Sequence, residues 1–419
     1  MANQLVNPTW VMLETTRRLV NNLRFGNNVD RSYDDQYKQA GAKVGDTVKA
    51  RLPQRYLLTR GAGLVRQDVT DQTVDISITD QNHVGLDFST WHLTLNVERY
   101  KQRYLDPAVD VLVNAFDYDG MTRMYQETAN QVGTPAVTPG STGTLPQAAT
   151  LTYLEATTKL HDLGIPEEDR RAVISPKMHM YLTNGVMTLF NPAGNIGKQY
   201  RTGQFAGEAL GVAKWFMAQN TAVHTVGPLG GTPTMSAVAN QTGSVIATIG
   251  WTAAAALRLR KGDVIQITDV NAINPMNRQS TGSRNDFVVT ADVNSDGAGA
   301  ANVPIWPAII GPGNQFQTVD ALPAASAPLF VFGGAASTHA SKQSAQGLIF
   351  RKEAYVAVMA DLEKPGGLWV SERISNAALG VSIRLLKDYT IDTDKSPARM
   401  DVAYGWKAVR PEMGCRVCA

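Results

Sequence analysis

Cysteine is almost missing from this sequence. Only Cys415 and Cys418 occur in 419 residues, so no disulfide framework can hold the fold. Aromatic residues are sparse at 7% and charged residues make up 18%, against 43% hydrophobic. That balance excludes a disordered chain and leaves a globular one, rich in turns given its 36 glycines. No run approaches the roughly 18–20 apolar residues of a membrane span, so no membrane partner is expected. Residues 1–18 include Asn3, Gln4, Asn7, Glu14, Arg17 and Arg18 and lack the apolar core of a signal peptide. The expectation is a chain made and kept in a cytosol. Catalytic signatures are also missing: there is no Gly-x-Ser-x-Gly elbow, P-loop, Gly-x-Gly-x-x-Gly after a strand, or His-Glu-x-x-His.

What charge there is lies unevenly. The formal net charge is +2, which forces no global nucleic-acid role. Residues 1–66, however, hold eleven Lys/Arg and five Asp/Glu, a net of +6, and the remainder carries −4. A basic arm with Arg17, Arg18 and Arg24 suits a polyanion or the acidic surface of another subunit. It would serve equally as an ordinary solvated arm.

At roughly 100–200 residues per domain, two or three domains are expected. Residues 8–24 read as a helix, with Pro8 in the first turn and Trp10, Leu13, Leu19, Val20 and Leu23 apolar. Residues 43–53 read as a strand, and residues 73–79 alternate, with Val74, Ile76 and Ile78 on one face. Between them lies a tip rich in Gly and Arg, with Arg55, Arg60 and Arg66 beside Asp68, Asp71 and Asp75. A hairpin this long is marginal alone and needs a surface to lie on. Its charges read either as weak surface ion pairs or as contacts that set register with a neighbouring subunit. Residues 86–95 give a further strand. The strongest helix signal starts at Asp106-Pro107 and extends to about Val132, or roughly 35–40 Å at 1.5 Å per residue. Residues 133–147 are a loop, 148–163 a helix, 171–176 a buried strand and 178–182 a helical turn. Residues 223–340 change character: short strand candidates at 244–249, 263–268, 286–293, 301–305 and 328–332, with no helical period, predict a small barrel or sandwich. Mixed strands resume at 347–360, 368–373, 380–389 and 401–410. An α+β body interrupted by a β module is the reading.

Few residues invite chemistry. Cys415-x-x-Cys418 has the spacing of a redox pair or half a zinc site, but the six histidines are scattered and none pair at ligand spacing. An inert, reduced pair is the default. Asp106, Asp110, Asp117 and Asp119 fall on one helix and read as a solvated face. The charge run 167–171 has the same reading. The turn 257–267, with Arg258, Arg260 and Lys261, reads as structural, because only Trp251 is near for base stacking. No cofactor and no catalytic or metal-binding residue is assigned.

The order of these parts resembles the P22-type coat protein family, which uses the HK97 fold with an inserted β domain. The strand 43–53, the Arg-bearing tip and the return through Val74–Ile78 resemble the family's extended E-loop, behind an N-terminal arm. The helix from Pro107 resembles its spine helix. Arg170-Arg-Ala-Val-Ile-Ser-Pro-Lys177 resembles the axial strand and helix. Arg260-Lys-Gly-Asp-Val-Ile-Gln-Ile267, with Val270-Asn-Ala-Ile-Asn-Pro275, Gly282 and Phe287-Val-Val, resembles the inserted domain. Val402-Ala-Tyr-Gly-Trp-Lys-Ala-Val-Arg-Pro411 resembles the closing strand. One departure stands out: the family's inserted domain has an acidic loop near its start, while residues 227–243 here contain no acid.

The resemblance implies an N-arm at 1–42, an E-loop hairpin at 43–85 and a peripheral domain with the spine helix at 86–148. An axial domain follows at 149–222 and 341–378, with the inserted domain at 223–340 and closing peripheral strands at 379–419. It implies a major capsid protein, not an enzyme, closing as pentamers and hexamers into an icosahedral shell. The partners it implies are other copies of itself, a scaffolding protein, a portal protein and packaged double-stranded DNA. A decoration protein is a further candidate. Contact residues would be Arg55, Arg60, Arg66, Asp68 and Asp71 in the E-loop, and Arg17, Arg18 and Arg24 in the N-arm. Two alternatives stay open: an encapsulin-like compartment, marked by an enzyme cargo, and a CxxC redox or metal-dependent enzyme, marked by bound zinc or a shifted thiol.

Overall fold

The computed structural model describes residues 23–33, 47–64, 66–68, 71–89, 106–141, 148–186, 209–335, 337–376 and 381–419. They divide into two compact units. One comprises Met1–Arg51, Thr73–Gly120 and Tyr355–Val409; the other comprises Leu52–Gln72, Met121–Ala354 and Arg410–Ala419.

The first unit is organised by one long strand, Lys395–Ala408. Along one edge it pairs with Asp80–Ser89. Along the other it pairs first with Val381–Lys387 and then with Tyr355–Ala360. Its burial pattern alternates over its first half and then turns continuously buried, the mark of a strand that is half solvated and then covered on both faces. Helix α1, Asp106–Glu127, covers it through Phe116, whose ring centroid lies 4.9 Å from Tyr404 and 4.7 Å from Trp406. Trp406 also stacks on Phe25 at 5.3 Å. Gly120 is required here: a Cβ would stand 2.5 Å from the Trp406 ring. The hairpin stem pairs Thr47–Arg51 with Thr73–Ser77, so that Val48, Ala50, Val74 and Ile76 share one face. Of these, Val48, Ala50 and Ile76 are fully buried.

The second unit contains a mixed sheet in the order Gln131–Gly133, Gly414–Cys418, Gln343–Arg351, Arg170–Ile174, Lys214–Met217. Helices α2, Ala148–Asp162, and α3, Pro176–Val186, accompany it. Ser175 starts α3, accepting the Met178 N–H at 3.3 Å, with Pro176 following it as the first helical residue.

Within residues 223–340 lies a separate, all-antiparallel seven-stranded sheet. Its strands run Gly334–Ala335, Leu329–Val331, Val264–Ile267, Phe287–Val289, Ala301–Ile309, Gly243–Ile249 and Thr234–Met235. The last strand returns to the second: the Met235 N–H donates to Ala327 O at 2.8 Å, and the Leu329 N–H to Pro233 O at 3.1 Å. Six of the strands therefore close into a barrel, with Gly334–Ala335 a short outer strand beside Leu329–Val331. Ile246, Ile267, Phe287, Val303, Ile305 and Val331 fill it. The chain enters and leaves this barrel on neighbouring strands, because Val223–Thr225 pairs antiparallel with Gln343–Ala345.

Most predicted elements appear at their expected places, with instructive differences. The helix from Asp106 ends at Glu127, not Val132: the Thr128 N–H turns to Tyr125 O at 3.3 Å, and its hydroxyl donates to Met124 O at 2.7 Å. The chain then becomes a strand parallel to Arg416–Cys418. The stretch 286–293 is two strands, Phe287–Val289 and Val293–Asn294, and 347–360 is also two, Gln343–Arg351 and Tyr355–Ala360. Residues 379–419 were expected as one piece, yet Gly414–Cys418 belongs to the second unit, held there between two strands of its sheet. The helix expected at 8–24 lies almost wholly outside the described residues, and so do 43–46 and 90–95.

Asp117 corrects the solvated-face reading. Its side chain is buried and accepts the backbone N–H groups of Arg24 (2.7 Å), Phe25 (3.2 Å) and Gly26 (3.0 Å). Burial pushes the carboxyl above its ordinary value, while the three donors and Arg31 pull it down. Replacing Asp117 with Ala would strand three N–H donors. We expect a loss of about 3 kcal/mol or more, read from the urea midpoint; a change within about 0.5 kcal/mol would show that the anchor contributes nothing.

Candidate assembly surface

Beyond the stem, the hairpin tip turns its side chains outward. Leu58 is 85% exposed and Leu64 83%, and Tyr56 is 61% exposed. Arg60, Arg66 and Asp68 are exposed as well, and Arg55 is half-buried. Gln67 shapes the tip by pairing both ways with Leu57, accepting its N–H at 2.7 Å and donating to its carbonyl at 2.5 Å. Asp71 accepts from Gln54 at 2.9 Å. Among the described residues no ion pair joins Arg55, Arg60 or Arg66 to Asp68, Asp71 or Asp75. Arg60 and Arg66 are thus exposed beside two leucines that gain nothing from solvent.

Of the N-arm residues, Arg17 and Arg18 lie outside the described residues. Arg24 is exposed, while its backbone is tied on both sides, to Asp117 through its N–H and to Asn28 Nδ2 through its carbonyl at 2.5 Å.

The remaining chemical-looking residues are taken up inside the second unit. Arg170, read as part of an exposed charge run, is buried. Its guanidinium donates to Ile165 O (2.5 Å), Pro166 O (3.0 Å) and Thr157 O (3.3 Å), closing the end of α2. Arg258 is buried too, donating to Ser295 Oγ (2.8 Å), Leu229 O (3.1 Å) and Thr252 O (2.9 Å). Its donors are used internally, in keeping with a structural turn.

Two fully buried carboxylates, Asp263 and Asp286, sit where the barrel meets the strands that carry it. Asp263 accepts from His224 Nε2 at 2.8 Å, the Gly227 N–H at 3.1 Å and the Arg260 N–H at 2.8 Å. Asp286 accepts from Lys159 Nζ, the Gln131 N–H at 2.8 Å and Gln266 Nε2 at 2.6 Å. Neither was singled out from the sequence. Asp263 had been absorbed into a Lys-Gly-Asp turn, and nothing in the local pattern around Asp286 marks it.

Burial holds His224 below its ordinary value, against the pull of Asp263; Arg416 and Arg260 push the same way as burial. His179 and His339 are likewise lowered by burial, His339 with help from Lys342. Below about pH 6.5 the unfolded chain binds protons that these folded sites refuse. Their contribution is thus whole above that pH and drains away as the pH falls. The melting midpoint should drop between pH 7 and pH 5, and His224→Gln should flatten that drop. A midpoint equal at both values would overturn the assignment.

Cys415 and Cys418 are both free and buried on the strand Gly414–Cys418. Burial pushes the Cys415 thiol up to about 12 and raises Cys418 as well. That is the reverse of a redox-active thiol, which needs a lowered value. Among the described residues no group of three or more His, Cys, Asp or Glu side chains is placed to hold a metal ion. No helix among them is long and apolar enough to cross a membrane. The native protein should leave an aromatic disulfide reagent unreacted at pH 8 and release two equivalents of colour once denatured; fast reaction of the native form would restore the CxxC reading.

The family model described as "P22 coat protein - gene protein 5" matches residues 19–418. The chain belongs to the P22 coat protein family. It is a phage capsid shell protein, with a fold of mixed α and β content. No curated protein matches it. Solved structures similar to it include one from Mycobacterium phage Che8, at 12% identity, 94% of this chain, 90% of that chain and a TM-score of 0.46. The mature capsid of bacteriophage PhiM1 gives 10%, 94%, 86% and 0.45. A virus-like particle from Pyrococcus furiosus gives 8%, 98%, 98% and 0.41.

Proposed function

We propose that this coat protein closes as pentamers and hexamers into an icosahedral shell around packaged double-stranded DNA. Assembly would be guided by a scaffolding protein, with a portal at one vertex. The observation that carries the reading is the hairpin tip, which exposes Leu58 and Leu64 almost completely beside Arg60 and Arg66. Covering one such leucine against a neighbour stabilises by about 1.5–3 kcal/mol. Repeated around a closed ring, that is the driving force of a shell. The arginines, with Asp68 and Asp71, set register between copies.

In this reading residues 43–85 are the E-loop, α1 is the spine helix, and α2 and α3, with the strands of the six-stranded mixed sheet that they accompany, belong to the axial domain. Residues 223–340 are the inserted domain. The pairing of Val223–Thr225 with Gln343–Ala345 supports an insertion, since it lets one chain accept a module without parting its own strands. The basic N-arm, with Arg17, Arg18 and Arg24, faces scaffold, DNA or an adjacent subunit.

Electron microscopy of the purified protein, alone and with its scaffolding partner, should show uniform closed shells or five- and six-membered rings. A Leu58→Asp, Leu64→Asp double variant should melt at the wild-type temperature while its assembly threshold rises about tenfold or more, ~1.4 kcal/mol per tenfold. Wild-type protein that stays small and monodisperse at high concentration under both conditions would sink the proposal.

A further inference from the structure

We infer that the barrel carries a receptor for polypeptide main chain, built from Arg278 and Gln315, and that its occupant is the hairpin tip of the same subunit. Gln315 Nε2 donates to the carbonyl of Arg55 at 2.5 Å, and Arg278 Nη2 reaches the carbonyl of Tyr56 at 3.4 Å. The two donors come from different loops of the barrel, and Arg278 joins those loops. Its Nη1 donates to Asn314 O at 2.8 Å and its Nη2 to Gln315 O at 2.9 Å. One guanidinium thus braces the loop that presents Gln315 and adds a contact of its own, which the forked, rigid donor set of arginine allows and lysine does not.

The Arg278 backbone is held in a conformation that suits glycine better, with φ of 59°. A tight local network keeps it there. The Arg278 N–H donates to Asn274 O at 2.7 Å, the Asn274 N–H to Gln279 O at 3.0 Å, and the Met276 N–H to Asn274 Oδ1 at 2.9 Å. The side chain is aimed by a turn that tolerates strain to aim it.

Consecutive carbonyls are what the receptor engages, so it reads backbone path and not side-chain identity. Gln67 pins the next residue, Leu57, from the other side. Between these grips the tip is fixed in pose while Leu58, Arg60, Leu64 and Arg66 remain outward. The inference rests on the coat reading for its consequence: the barrel presets the pose in which each subunit offers its tip to a neighbour.

Trypsin tests the contact directly, because it must draw the scissile carbonyl into its own oxyanion hole. At Arg55 that oxygen is already engaged by Gln315; at Arg60, exposed and followed by Gly61, no described side chain holds it. In the unassembled wild-type chain, first cuts mapped by mass spectrometry should favour Arg60–Gly61 over Arg55–Tyr56 by about tenfold. Gln315→Glu keeps the shape but removes the N–H donor, and Arg278→Ala removes the brace. Each should raise cutting at Arg55 about tenfold relative to Arg60, which serves as internal standard. Equal cutting at both sites in the wild type, or a ratio unmoved by both substitutions, would overturn the inference. So would protection of Arg55 that arises only in assembled shells, which would assign the receptor to a neighbour's tip. Shell formation is scored separately by microscopy on the same samples, so failure of the coat reading and failure of the receptor look different.

Discussion

Burying a carboxylate obliges the fold to bring it partners, and the second unit is arranged around two such obligations. Asp263 and Asp286 lie on the barrel with no exposed side-chain surface. Their partners, His224, Gly227, Gln131 and Lys159, come from segments that lead into the barrel or belong to the mixed sheet and α2. A charge so placed is tolerable only when several donors converge on it. Removing one donor leaves the rest of the cost in place, so the arrangement is met in full or not at all. That makes the join between barrel and sheet specific in a way that apolar packing alone does not require.

The first unit meets the same obligation at Asp117 with three backbone donors, beside an aromatic cluster. Phe25, Phe116, Tyr404 and Trp406 meet around a strand that two other segments approach closely. Gly120 gives the Trp406 ring room, and Gly405 lets Ser77 O come within 2.0 Å of where a Cβ would stand. Tyr404, Gly405 and Trp406, within the stretch that resembles the closing strand, are therefore a packing device. The aromatic rings fill space and the glycine admits a neighbouring backbone.

Much of this was legible in the sequence, for definable reasons. The period-2 run through Val74 and Ile76 and the cap-and-proline start at Asp106-Pro107 are local signals, and the structure honours them, though the strand stops at Ser77, short of Ile78. Density of short strands marked out 223–340, though closure into a barrel depends on Met235 meeting Ala327, a pairing no local pattern encodes. Long-range partners were hidden altogether. Asp117 looked like one of several acids on a solvated helix, since its three donors lie more than ninety residues away. Arg170 looked like part of a charge run because the carbonyls that take it belong to the end of a neighbouring helix. At the assembly surface the arginines and acids of the tip were named from sequence, whereas Gln315 and Arg278 were not. Polar residues in Gly- and Asn-rich loops give no sign of what they will hold.

The ladder between Val223–Thr225 and Gln343–Ala345 has a geometric consequence for the chain as a line in space. Paired strands lie about 5 Å apart. Measured between those two points, the whole barrel therefore adds almost nothing to the contour of the body: the path leaves and resumes one strand's width away. A fold traced only through its sheet and helices would close across that gap with a short turn.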